Sequence, residues 1–212
     1  MMNGAGALSV CEVYSSPRCP PYCNHLFCLS YFMHTNPHQL LSQSDVIFTQ
    51  HQVDDAIALL ASNISQALQD KSPLVLTVMN GGMYFAAQLI SQLNFPLELD
   101  YIQASRYNTN TVGKEVKWRA EPTDQVRGRT VLLLDDILDE GHTLVAIRDK
   151  CFALGALEVK IAVLTEKLLD HTKPIKADYV GLELPNRYVF GCGMDVYGWW
   201  RNLPDIRALK DH

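Results

Sequence analysis

The chain has 212 residues, 48% of them hydrophobic and 19% charged, the balance of an ordinary globular domain with some length to spare. Its net charge of -5 argues against general nucleic-acid binding, which needs clustered Lys and Arg, but leaves room for a small anionic ligand held by backbone N–H groups. No apolar run is long enough to span a membrane. The N-terminal stretch is broken by Pro17, Pro20 and Pro21 and has Arg18 as its sole basic side chain, a poor secretory signal. The expected compartment is the cytoplasm.

Residues 1–37 mix Ser, Pro, Cys, Tyr and Gly without periodicity and are expected to form a poorly ordered extension. Met33 opens a segment that reads like an ordinary protein start, so translation from Met33 is one hypothesis; a native peptide from residues 1–32 would refute it. Four of the six cysteines, Cys11, Cys19, Cys23 and Cys28, fall in this extension. Their spacing lacks the paired C-x-x-C blocks of common zinc sites, so a Cys-rich tail without metal is preferred. Cys151 and Cys192 lie in apolar surroundings and read as reduced core residues.

Ile57, Leu60, Ile64 and Leu68 recur at helical spacing, which predicts an amphipathic helix over 53–70. Leu74 to Val78 is apolar apart from Thr77 and reads as a buried parallel strand. Gly81-Gly82 punctuates it; taken alone, the pair is a plain turn. A helix over 83–93 and a strand over 97–103 follow. The polar stretch 108–113 reads as a mobile loop, and 115–118 as a short returning strand. Thr130 to Leu134 is the clearest strand, followed by a helix over 143–154 and a buried strand over 159–164. Strands alternating with helices imply an α/β fold around a mostly parallel sheet.

The informative stretch is Val131 to Leu144, VLLLDDILDEGHTL. A buried strand ends at Asp135 and Asp136. After two apolar residues come Asp139, Glu140, Gly141, His142 and Thr143, and then a helix. Ligands of open α/β sheets bind at the carboxyl ends of strands. The loop N–H groups and the helix N-terminus suit a phosphate, Gly141 permits close approach, and Thr143 adds a hydroxyl. Asp135 and Asp136 would repel phosphate but can accept from sugar hydroxyls, directly or through a metal. On the residues alone, a sugar-phosphate site and an acidic turn with Asp139 capping a helix both remain open.

This stretch resembles the phosphoribosyl pyrophosphate (PRPP) motif of the phosphoribosyltransferases: apolar strand, two acids, two apolar residues, then Asp-x-Gly-x-Thr. Further segments, from Ser44 to Leu209, are similar to the hypoxanthine-guanine branch in the same order. The resemblance implies the type I phosphoribosyltransferase fold over residues 38–212, with a small hood subdomain. It also implies transfer of the phosphoribosyl group from PRPP to a 6-oxopurine, aided by Mg2+. Met79, Asn80 and Gly81 match the pyrophosphate loop, with a non-proline cis peptide at Met79-Asn80. Asn80 stands where the family usually has Lys, which leaves the pyrophosphate contact there to the backbone.

The resemblance assigns Asp139 as general base, Lys167 as donor to the purine 6-oxo group, Tyr188 as stacking partner of the base and Val189 as a backbone reader of its edge. It assigns Asp195 to magnesium, with Asp135 and Asp136 orienting the ribose near the metal, and Arg201 to pyrophosphate. Ser105, Arg106 and Tyr107 match the start of the flexible active-site loop; Arg106 reads equally as a solvated loop cation. Trp199 and Trp200 read most simply as core residues. A homodimer or homotetramer is implied. A xanthine-preferring transferase and a non-catalytic PRPP-sensing regulator are the alternatives; no nucleic-acid-binding segment accompanies the motif to support the regulator.

Overall fold

The computed structural model describes residues 36–106 and 116–210. The chain divides after Ser42. Before that point the described part is one short helix, α1 (Pro37–Ser42). The expected N-terminal extension, with its four cysteines, lies outside the described residues.

From Gln43 onward the main sheet has six strands in the order β4-β3-β2-β5-β6-β7. These are β2 (Leu74–Val78), β3 (Glu98–Arg106), β4 (Val116–Ala120), β5 (Thr130–Leu138), β6 (Glu158–Lys167) and β7 (Tyr179–Leu184). All neighbours pair in parallel except β4, which returns antiparallel along β3. A second, antiparallel sheet is made by β1 (Ser44–Phe48), β9 (Ile206–Leu209) and β8 (Val189–Phe190) in the order β1-β9-β8. This is the small subdomain implied by the resemblance.

Helices cover both faces of the main sheet, as a parallel sheet requires. On one face, α2 (Gln50–Leu68) and α3 (Met83–Ile90) pack Val53, Ile57, Leu60, Ile64, Phe85 and Leu89 against Val75, Leu132 and Leu134. Ile206, Ala208 and Val189 of the small sheet join this core. On the other face, α4 (His142–Ala153) packs Leu144, Ile147 and Cys151 against Val131, Leu133 and Val163. The period-two alternation of β5 thus feeds two separate cores. Cys151 and Cys192 are buried free thiols, pushed up by burial to about 11 and about 12.

Several boundaries differ from expectation. Helix α2 begins at Gln50 rather than residue 53, because Thr49 and Gln52 form a capping box ahead of the apolar period: the Thr49 N–H donates to Gln52 Oε1 at 3.0 Å. It ends at Leu68, and α3 stops at Ile90, short of residue 93. Strand β3 runs on to Arg106, and β4 spans 116–120 rather than 115–118. Strand β5 does not stop at Leu134 but continues through both acids to Leu138, since its backbone stays paired with β6 as far as Leu138↔Glu166. Among the described residues no helix is long and apolar enough to cross a membrane.

Candidate active site

The chain passes from β2 to β3 on one side and pairs β2 with β5 on the other, so the sheet order reverses between β2 and β5. A crevice opens at the carboxyl ends of strands at such a switch point. Three chain segments meet there. After β2, the Met79–Asn80 peptide is cis, the Met79 N–H donates to the Ile102 carbonyl at 2.7 Å, and the Gly82 N–H turns back to the Val78 carbonyl at 2.9 Å. Gly81 and Gly82 then press against β5. A β-carbon on Gly82 would lie 2.7 Å from the Leu134 carbonyl oxygen, and one on Gly81 would overlap the Asp136 carboxylate. This close approach, not turning alone, requires both glycines.

Asp136 is buried and Asp135 half-buried. Burial pushes the Asp135 carboxyl well above the usual carboxylate range, and the neighbouring Asp136 charge pushes it further. Burial also raises Asp136, against the opposing influence of Asp135 hydrogen bonding and the Arg201 charge. The Asp136 N–H donates to Asp135 Oδ1 at 3.0 Å. From behind, the fully buried Thr165 hydroxyl donates to the Asp136 carbonyl at 2.9 Å. Two crowded carboxylates of raised pKa are suited to meeting hydroxyl donors or a cation. Their hard oxygens fit magnesium, an ion usually held by one or two carboxylates together with water and substrate phosphates.

Beyond β5 the chain forms the loop from Asp139 to Gly141. Gly141 sits at φ +79 and precedes α4 without a side-chain cap, so the first-turn N–H groups of α4 face the loop, the arrangement that favours an anion. A β-carbon at Gly141 would also meet Ile175 Cγ2 at 2.8 Å. Asp139, half-exposed, accepts from Lys167 Nζ at 3.0 Å. Glu140 lies 3.1 Å from His171 Nε2, while His142 is exposed and Thr143 half-buried. Asp139 and Lys167, 28 positions apart in sequence, thus form an ion pair beside the loop.

Residues 188–201 form the third wall. Tyr188 is 43% exposed, enough to offer ring surface, while the following Val189 is buried in β8. The Tyr188 ring stacks on Tyr197 with centroids 6.2 Å apart. Asp195 accepts from the Gly198 N–H at 2.6 Å and from the Arg201 guanidinium. Arg201 also donates to the Gly193 carbonyl at 2.6 Å. Gly193, at φ +105, lies against the Gly81 carbonyl, which joins this wall to the turn after β2. Trp199 departs from the expected core packing. It is 54% exposed, at the base of a two-residue turn bridged at Val196↔Trp199. Trp200 is half-buried.

Ser105 and Arg106 end β3 opposite Lys117 and Val116 of β4. Tyr107 and the expected mobile loop lie outside the described residues. Asn80 is exposed and accepts from Gln103 Nε2 at 3.5 Å. Sequence reasoning missed Thr165 and Lys173. Lys173 donates to the Leu138 carbonyl at 3.0 Å, to the Lys167 carbonyl at 2.5 Å and to Glu166 Oε1 at 3.1 Å.

The chain belongs to the phosphoribosyltransferase family: residues 43–197 match the phosphoribosyl transferase domain. Within that class it is 34% identical over 166 residues to the hypoxanthine-guanine phosphoribosyltransferase of Bacillus subtilis, covering 78% of this chain and 92% of the relative. The corresponding Streptococcus thermophilus enzyme is 33% identical over 167 residues, covering 78% and 93%. The crystal structure of a Staphylococcus aureus hypoxanthine phosphoribosyltransferase superposes with a TM-score of 0.76 at 26% identity, covering 84% of this chain and 96% of that one.

Proposed function

We propose that this protein transfers the 5-phosphoribosyl group of PRPP to hypoxanthine and/or guanine, giving IMP or GMP and pyrophosphate, as a purine-salvage transferase of the cytoplasm. The observation that supports this reading is the gathering, at the carboxyl ends of the adjacent strands β2, β5 and β6, of the Met79–Gly81 turn, the acid pair Asp135–Asp136 that it packs on, and the Asp139–Lys167 ion pair. A sugar diphosphate needs the first two, and an incoming heterocycle that must lose a proton needs the third.

In the reaction, a purine ring nitrogen replaces pyrophosphate at the anomeric carbon, through a transition state with oxocarbenium character. Asp135 and Asp136 accept from the ribose hydroxyls. The loop of Asp139, Glu140, Gly141, His142 and Thr143 holds the 5′-phosphate. Met79, Asn80 and Gly81 present backbone, and Arg201 a guanidinium, to the pyrophosphate. Asp135, Asp136 and Asp195 would hold magnesium, which would supply charge stabilisation for the leaving pyrophosphate. Tyr188 stacks on the base, Val189 reads its edge through the backbone, and Lys167 donates to the 6-oxo group. Asp139 takes the proton from the purine. In the free site Asp139 and Lys167 occupy each other, so base binding exchanges one charge-assisted contact for two aimed at the substrate. Ser105, Arg106 and Tyr107 begin the loop that closes over the reacting atoms and excludes water. The active form is a homodimer or homotetramer.

The test is nucleotide formation from PRPP, Mg2+ and each of hypoxanthine, guanine, xanthine and adenine. Product from hypoxanthine or guanine, abolished by chelator, is expected. Preferential use of xanthine would change the substrate assignment. PRPP binding without product from any base would make the protein a silent PRPP sensor.

A further inference from the structure

We propose that Lys173 is a positioning residue for the purine half of the site: its ammonium clamps the end of β5 to the end of β6 and so sets Asp139 opposite Lys167. The inference rests on the roles proposed above for those two side chains. Strands β5 and β6 pair as far as Leu138↔Glu166. Beyond that the chains part, one into the phosphate loop and the other into the connection to β7. Two carbonyls at the parting point, those of Leu138 and Lys167, are taken by one ammonium. Its third N–H goes to the Glu166 carboxylate. An ammonium has three donors, and all three are used.

The side chain of Lys173 is only 9% exposed. Burying an ammonium is unfavourable unless it is fully paired, and removing it leaves its acceptors unpaired in turn. The two carbonyls it holds have a particular place in the chain. The Leu138 carbonyl belongs to the peptide that leads into Asp139, and the Lys167 carbonyl is that of Lys167 itself. One cation therefore fixes the backbones of two residues whose side chains meet at 3.0 Å. The segment around Lys173 braces the same loop at two further points. His171 meets Glu140, and Ile175 packs beside Gly141. The acid pair, by contrast, is supported by Thr165, Gly81 and Gly193 and does not depend on Lys173.

That separation makes the proposal testable in the full-length protein. Lys173→Met keeps the stem and removes the donors; Lys173→Gln keeps a neutral donor; Lys173→Arg keeps the charge. With Lys173→Met, kcat for hypoxanthine or guanine is expected to fall by about tenfold or more and the purine KM to rise several-fold, since small misplacements of reacting groups are costly. The Kd of pyrophosphate, assigned to the Met79–Gly81 turn and Arg201, is expected to stay within about twofold, the Kd of PRPP to rise because the clamped loop holds its 5′-phosphate, and Lys173→Arg to recover most of the loss. If Lys173→Met does not fold, Lys173→Gln carries the same comparison. A lowered Tm with unchanged kcat and purine KM, or an equal loss of pyrophosphate and purine binding, would overturn the clamp. Should the unaltered protein make no nucleotide from any base, the functional reading fails, but amide hydrogen exchange still tests the clamp. Exchange at 138–144 must then quicken in the variant while 130–134 stays protected, and unchanged exchange at 138–144 overturns it.

Discussion

The Asp136 carboxylate occupies the space where a side chain on Gly81 would begin: a β-carbon there would lie 2.5 Å from Asp136 Cγ and 2.8 Å from Oδ1. Only the Asp136 carboxylate itself could give way, by swinging out of its place beside the turn. The Asp136 backbone is held from behind by Thr165 at its carbonyl, and Gly193 lies against the Gly81 carbonyl. Gly81→Ala is therefore expected to lower stability by about 1–3 kcal/mol, the usual cost of overpacking, and to weaken PRPP binding at least about tenfold. Thermal unfolding and calorimetric titration with PRPP measure the two effects. An alanine variant with unaltered PRPP affinity would show that the turn and the acid pair are not one unit.

The acid pair is strained in the free protein. Asp135 has its carboxyl raised by burial and by the Asp136 charge, so the folded state disfavours its ionised form. A carboxyl whose folded pKa is raised contributes stability below its ordinary value of 3.8, and this is lost as pH rises through the folded value. At neutral pH the pair thus works against the fold. Asp135→Asn is expected to raise the Tm of the ligand-free protein by about 2–4 °C while weakening PRPP binding, a trade of stability against function. The Tm gain should vanish in acid, where both forms are neutral. A lower Tm at pH 7 would contradict the sign argued here.

Asp139→Asn separates chemistry from binding. Asparagine can keep the shape of the loop but cannot take a proton, so turnover is expected to fall by about 10²–10⁴-fold with PRPP affinity nearly intact. The variant also loses the ion pair to Lys167. That frees the ammonium, and purine affinity is expected to hold or improve. Steady-state kinetics with isothermal titration distinguishes the effects, and unchanged turnover would remove Asp139 from the mechanism.

Much of this site was legible along β5, because an apolar run ending in two acids and followed by a glycine-containing loop is local in sequence. The cis peptide at Met79-Asn80 follows the resemblance, and the returning β4 was read from the residues themselves. What was not legible depends on register between distant strands. Thr165 supports Asp136 from 29 positions away, and its place on β6 is set by pairing that residue types alone do not specify. Lys173 looks like any exposed lysine in a polar connection until the chain folds back on the strand ends. The extension of β5 through Leu138 was hidden by the acids, whose backbones pair with β6 although their side chains signal a loop. Trp199 was misplaced because hydrophobicity indicates burial on average, whereas its turn carries it outward.

His171 gives the loop that follows β5 a pH dependence. Its two ring nitrogens face carboxylates, Glu140 at Nε2 and Asp170 at Nδ1, each at 3.1 Å. Only the imidazolium can donate to both; a neutral ring leaves one carboxylate facing a lone pair. The hydrogen bond to Glu140, and then that to Asp170, accordingly raise the His171 pKa above its ordinary 6.5. For a histidine with a raised folded pKa, the favourable interaction is fully present below the unfolded value and is lost as pH rises through the folded one. The doubly paired imidazolium is thus favoured in mild acid, and one of its two ties is lost as pH rises through the raised folded value. An NMR titration of the His171 ring is expected to give a midpoint above 6.5. Glu140→Gln should move that midpoint down, part of the shift remaining with Asp170. Amide exchange in the loop should quicken with pH beyond the intrinsic rate in the unaltered protein, and lose that excess dependence in His171→Asn. A midpoint at or below the ordinary value would mean the two contacts do not persist in solution.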